Sequence, residues 1–314
     1  MAGSKGVVMA ALIANGAIAI MKFFAFLLTG SPSMLSETYH SISDTGNQVF
    51  LLIGIRYGGR EADRRHPFGY GRAQFFFAFL VAVMLFGIAG WESAKHGYEK
   101  LLHPTTHGGG DPVNILGTAV DPVMISYAVL IFAFLFESWA LYKARAEMKR
   151  QIERHGWSGY REAFRKTSDV TTLTALTEDF IALSGVTLAF FGILLTQLTN
   201  NPVFDAAAAL LIGLMLMGFA LALAWENKRL ILGEALPRDE ERKLRDRLLA
   251  HEDVTGIVDL RSVYVGPEKV LFTTEISFAA GMATADIDDA IAEIKADLRE
   301  AEPQLTRIYV EPET

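Results

Sequence analysis

The chain has 314 residues, 51% hydrophobic and only 21% charged, with 36 Asp and Glu against 29 Lys and Arg for a net charge of -7. A soluble domain of this length rarely carries so apolar a balance, and an acidic excess is the wrong sign for a nucleic-acid binder. The absence of cysteine excludes disulfides and thiolate metal sites.

A membrane-crossing helix needs about 20 apolar residues. Six segments meet that requirement, near 6–29, 34–56, 74–101, 122–145, 170–198 and 203–232. The first follows "MAGSKG" at once with no small-residue cleavage site, so it reads as an uncleaved span. The short links "TGSPS" and "LTNNP" predict antiparallel hairpins between spans one and two and between five and six. The Gly- and Pro-rich "HPTTHGGGDPVN" reads as an external loop, and the cluster "FFFAF" at 75–79 as lipid-facing packing. Two connections are strongly basic. One carries Arg56, Arg60, Arg64, Arg65 and Arg72, the other Lys143, Arg145, Lys149, Arg150, Arg154, Arg161, Arg165 and Lys166. Positive loops stay inside, which places both termini in the cytoplasm of a multi-pass protein of the cell (inner) membrane.

After Leu232 the pattern changes. Residues 233–314 hold 19 Asp and Glu against 10 Lys and Arg. A helix entered at Pro237 is followed by two β-rich runs around "VGPEK". An amphipathic helix comes next, with Thr284 or Asp286 as N-cap and Ile287, Ile291, Ile294 and Leu298 on its apolar face; "TRIYVEP" is a final strand. The fold class is therefore an α-helical membrane protein. A six-helix transmembrane bundle, 1–232, precedes a small cytoplasmic α+β domain, 233–314, with the αββαβ order of a ferredoxin-like sandwich.

Ionisable groups at membrane depth are functional candidates by default. In "SETYHSISDTGNQVF", Glu37, His40, Asp44 and Asn47 follow helical spacings of three and four and share one face. "TALTEDFIALSG" adds Glu178 and Asp179. One imidazole and three carboxylates suit Zn²⁺ or another first-row divalent metal better than Ca²⁺ or Mg²⁺. Both group types also titrate, so the same site can trade metal for protons. The bland alternative is polar glue between helices. Lys22, mid-span in "AIMKFFAF", is either a buried ion-pair partner or a side chain snorkelling to an interface.

The motifs "GSPSMLSETYHSISDTGNQ", "HPFGYGRAQ", "ALTEDFIALSG" and "LGEALPRDEERKL" resemble the cation diffusion facilitators, in their zinc transporter 9-like branch. The resemblance covers nearly the whole chain. It implies a homodimer of six-helix protomers that exports Zn²⁺ or a related metal from the cytoplasm in exchange for protons, with no cofactor beyond the transported ion. Carried over, the transport ligands are His40 and Asp44 on the second span and Asp179 on the fifth, where Ala175 stands at the fourth ligand position. Glu178, about 60° around the helix from Ala175, or a water completes the set. The expectation is water, with Glu178 hydrogen-bonded nearby or meeting a cation such as Lys22. Asp63 and His66 match an accessory metal site that lacks its second imidazole, since Tyr70 stands there, and a structural role is expected. The cytoplasmic domain has a single histidine, His251, too few for a two-metal site. Arg72 and Glu234 match a basic–acidic pair.

Two rival classes fit less well. A membrane metallo-hydrolase needs a motif such as H-E-x-x-H, and none of the seven histidines has that spacing. A metal sensor without transport would concentrate ligands in the soluble domain. An Mn²⁺, Fe²⁺ or Co²⁺ transporter of the same fold is the nearer alternative.

Overall fold

The computed structural model describes residues 2–104, 113–115 and 118–313. Most of the expected external loop, 105–112, falls outside the described residues. The helices begin with α1 (Ala2–Thr29), α2 (Pro32–Gly58), α3 (Ala73–Met84) and α4 (Trp91–Leu102). A π-helical stretch, Leu85–Gly90, joins α3 and α4, so Ala73–Leu102 is one helix of 30 residues. A hairpin that the sequence reading did not anticipate follows, β1 (Val113–Ile115) against β2 (Thr118–Val120). Then come α5 (Pro122–His155), the short α6 (Tyr160–Lys166), α7 (Val170–Thr199) and α8 (Val203–Leu232).

Local chemistry sets these boundaries. Asp121 caps α5 by accepting from the Val123 amide at 2.8 Å, with Pro122 in the first turn, and Gly156 ends it at φ 65°. The basic connection expected after the fourth span is thus mostly helix, α5 running on to His155 and α6 following it.

Among the described residues, four helices are long and apolar enough to cross a membrane: Ala73–Leu102, Pro122–His155, Val170–Thr199 and Val203–Leu232. The chain is a multi-pass membrane protein. In α1 the apolar stretch found is Asn15–Thr29, while α2 has the length but carries a polar face. Large apolar side chains such as Leu135, Trp139, Leu221 and Trp225 are exposed along these helices, as a lipid-facing surface requires. The "FFFAF" cluster divides, because a helix cannot turn five consecutive residues to lipid: Phe76 is exposed but Phe75 is fully buried.

The chain resolves into two compact units, one of Met1–Ile53, Phe77–Arg165 and Thr171–Glu226, the other of Gly54–Phe76, Lys166–Val170 and Asn227–Thr314. The first unit has a core of small and branched residues, including Ile18, Ala25, Leu85, Ala89, Leu130, Ile181, Ala189, Ile212 and Leu216. A second cluster joins Ala82, Met148, Trp157, Ala163, Leu173 and Leu223.

The second unit contains α9 (Arg238–Leu249), β3 (Val254–Gly266), β4 (Lys269–Phe278), α10 (Thr284–Ala301) and β5 (Leu305–Glu313). β4 is central, antiparallel to β3 and parallel to β5. The parallel pair requires a crossover, which α10 supplies. Buried Leu244 and Leu248 of α9 and Ile291, Ile294 and Leu298 of α10 complete a core with Val270, Phe272 and Ile276 of β4. Ala283, not Thr284 or Asp286, is the N-cap of α10; Asp286 sits one turn inside and accepts from the Ala283 amide at 3.3 Å.

Glu240 on α9 is a buried carboxyl in this core, and its Oε2 makes no hydrogen bond. Burial, with the Glu302 and Asp239 carboxylates near it, pushes its pKa up to about 7 against the weaker pull of Lys166 and Lys243. Between its ordinary value near 4.5 and about 7, the folded state binds the proton and the unfolded chain does not. Stability of this unit therefore falls as pH rises through that window. Glu240→Gln is expected to protect the β3–β5 amides from hydrogen exchange at pH 8 by roughly 2 kcal/mol, allowing for partial solvent screening, and to change little at pH 4.5. Equal protection of both proteins at pH 8 would refute it.

Candidate functional site

The α2 stripe closes as its spacing predicts. Glu37, His40 and Asn47 are fully buried and Asp44 is nearly so. Around them Ser36, Thr38 and Thr45 bond back to the carbonyls of Pro32, Met34 and Ser41 at 3.1, 2.8 and 2.9 Å. Hydroxyls of this kind satisfy themselves within the helix. The ionisable groups cannot, and must find partners elsewhere.

His40 has found little. Its Nδ1 lies 3.4 Å from Asp44 Oδ1, one turn on, and neither ring nitrogen makes a hydrogen bond. Asp44 Oδ1 and Asn47 Oδ1 are buried without partners as well. Such groups are costly inside a protein, and their clustering on one helix face makes that face the candidate site.

On α7, Glu178 is buried and accepts from Asn47 Nδ2 at 2.7 Å, tying the helix to α2. Asp179, about 100° further round, is half-buried. Asp44 lies within electrostatic range of both carboxylates. Among the described residues, however, no three His, Asp or Glu side chains meet closely enough to hold one ion. The structure thus brings His40 to Asp44 and Glu178 to the stripe, and leaves Asp179 beside them.

Lys22 is the fully buried partner of Glu37, its ammonium donating to Glu37 Oε2 at 2.7 Å and to Ser41 Oγ at 2.9 Å. It neither snorkels nor reaches Glu178. The sequence reading also missed Glu137 of α5, buried and within electrostatic range of Lys22, Glu37, Asp44, Glu178 and Asp179. A lone acid inside the apolar "FAFLFESWAL" was the available signal.

A model of the cation efflux transmembrane domain matches residues 8–232. The chain belongs to the cation diffusion facilitator family. Over 299 residues it is 29% identical to the human mitochondrial proton-coupled zinc antiporter SLC30A9, covering 93% of this chain and 50% of that protein. It is 26% identical to metal tolerance protein C4 of Arabidopsis thaliana over 280 residues, 89% of this chain and 58% of that one. With the cation-efflux pump FieF of Escherichia fergusonii it shares 26% over 252 residues, 80% and 74% of the two chains. The chain spans about half the length of the SLC30A9 relatives it matches. These relatives bear out the resemblance to the zinc transporter 9-like branch.

The other positions matched to this cation diffusion facilitator family lie in the second unit. Asp63 Oδ1 accepts from the amides of Arg65 and His66 at 2.9 and 2.7 Å, and Oδ2 from the Tyr70 hydroxyl at 2.7 Å. The Tyr70 bond, with the His66 amide second, holds the Asp63 carboxyl below its ordinary range. His66 Nδ1 stands 3.7 Å from Asp63, and its ring lies against Tyr70 with centroids 4.0 Å apart and planes tilted by 35°. Both carboxylate oxygens are committed to a turn, as a structural role requires. The Arg72–Glu234 pair does not form. Glu234 binds Arg229, which also donates to the Thr167 carbonyl at 3.1 Å, and Arg72 Nε donates to the Tyr264 carbonyl at 3.3 Å.

Proposed function

We propose that this chain is a divalent metal cation transporter that exports Zn²⁺ from the cytoplasm in exchange for protons, by alternating access, as a homodimer. The observation that carries the reading is His40: a fully buried imidazole with both nitrogens unbonded, one turn from a carboxylate with an unbonded oxygen. Membership of the family and the activities for which its relatives are named support it. His40, Asp44 and Asp179 are the proposed ligands, and water the fourth. Asn47 supports that assignment, because its amide already occupies Glu178 Oε1. One nitrogen and two carboxylates form a borderline donor set suited to Zn²⁺, with Mn²⁺, Fe²⁺ and Co²⁺ as competitors.

The reading includes six spans, 1–232, and a ferredoxin-like cytoplasmic domain, 233–314. α1 and α2 supply the first two spans at 28 and 27 residues, long enough at 1.5 Å per residue to cross a bilayer. The polar face of α2 turns inward, where it costs least. The arginine- and lysine-rich connections support cytoplasmic termini, and the inner membrane is the proposed location.

The test is metal uptake by the purified protein in lipid vesicles, comparing Zn²⁺, Mn²⁺, Fe²⁺, Co²⁺ and Cd²⁺ under imposed pH differences. Zinc flux should be largest and should accelerate as the lumen is made more acidic than the bath. Flux indifferent to the pH difference would remove the antiport, and binding without flux for any metal would remove transport.

A further inference from the structure

We propose that the Lys22 ammonium is a tethered cation seated in a second cation station, formed by Glu37 and Ser41, and that this station takes a divalent metal ion once the ammonium is gone. The proposal rests on the transporter reading for the route it describes, but its ligands are separate from the three proposed above.

The ammonium occupies the place a bound ion would take, between a carboxylate oxygen at 2.7 Å and a hydroxyl oxygen at 2.9 Å, with every group buried. Glu37 offers more than Lys22 uses. Its Oε1 is buried without a hydrogen bond, and it lies against Gly185 of α7, where any Cβ would displace it. Glu137 is buried as well and lies within electrostatic range of the ammonium. Without the ammonium, the Glu37 carboxylate and the Ser41 hydroxyl would be buried oxygens with no counter-charge, which is the chemistry that recruits a divalent cation.

Its position gives the station a role. Glu37 precedes His40 by three residues, about 4.5 Å along α2 toward the N-terminus of that helix. One turn further, the Ser33 amide donates to Asp205 Oδ1 at 3.3 Å. There a small pocket of about 50 Å³ is lined by Asp205, Thr29, Ser31 and Ser126 among others. Polar groups thus run from the His40–Asp44 pair to the end of α2, with Glu37 on the way. A departing ion would lodge at a bare carboxylate there, and the ammonium prevents it by filling the seat.

The test counts Zn²⁺ bound per protomer by the full-length protein in detergent, by equilibrium dialysis with metal analysis. Lys22→Gln is one atom shorter and removes the charge but keeps a hydrogen-bond donor; Lys22→Met removes both charge and donor. Lys22→Gln should bind one ion more than the wild type, and Lys22→Met the same if it folds. Lys22→Met combined with Glu37→Gln should return to the wild-type number. In an Asp44→Ala background the additional ion should persist, so the transport site and the station are scored independently. Folded Lys22→Gln protein with the wild-type number of ions overturns the proposal, whatever the wild type binds.

Discussion

Asp179→Asn and Asp44→Asn are each expected to stop metal transport, at least a hundredfold below the wild type, while Glu178→Gln lowers it only several-fold. The amides keep volume and hydrogen-bonding capacity but lose the charge that a divalent ion needs. In the proposed site His40 is the one nitrogen donor, so removing either carboxylate would leave two of the proposed protein ligands, too few for a tetrahedral ion held by protein groups. Glu178 differs because its Oε1 already receives the Asn47 amide at 2.7 Å. Glu178→Gln would disturb that contact between α7 and α2 but leave the three ligands in place. The check is initial uptake rate in vesicles, with monodispersity on size exclusion confirming that each variant is folded. Equal and complete loss in Glu178→Gln and Asp179→Asn would put Glu178 among the ligands.

Gly213→Val and Gly97→Val are expected to destabilise the first unit by about 3 kcal/mol each, enough to lower the melting temperature of the purified protein by many degrees. The helix Ala73–Leu102 and α8 approach through these glycines. A Cβ on Gly97 would run into the backbone nitrogen of Leu210, and one on Gly213 into that of Ala94. Backbone on both sides cannot yield, so the helices must separate and the contacts of Ala89, Ile212 and Leu216 would loosen. In lipid, close backbone approach through small residues is a main source of helix association. Gly218→Ala is the control, because nothing lies within 4 Å of its added carbon. It should melt with the wild type or slightly above, alanine being the better helix former. A Gly213→Val protein as stable as the wild type would sink the assignment of this crossing.

Much of this was legible in the linear chain. Apolar runs longer than twenty residues fixed four helices because lipid leaves the backbone no other way to satisfy its hydrogen bonds. Spacings of three and four put Glu37, His40, Asp44 and Asn47 on one face because the helical period demands it, and all four are buried. Alternation and turn chemistry located β3, β4 and β5, and the apolar period of α10 named Ile291, Ile294 and Leu298.

Pairing was not legible, because a partner's identity depends on where two helices cross, and composition does not encode that. The spacing could not say whether Lys22 snorkels or pairs; the tertiary structure buries it against Glu37 and Ser41. Nor could it say that Asn47 would hold Glu178, that Arg229 would take Glu234 from Arg72, or that Glu137 would face the same polar cluster. What the sequence by itself determined is which groups interrupt the apolar segments and on which face of their own helix they lie, since both follow from hydropathy and a fixed 3.6-residue period. Only the tertiary structure decided which charges neutralise one another and which donors are left unbonded, because in a low dielectric those outcomes turn on ångström separations between helices distant in the chain.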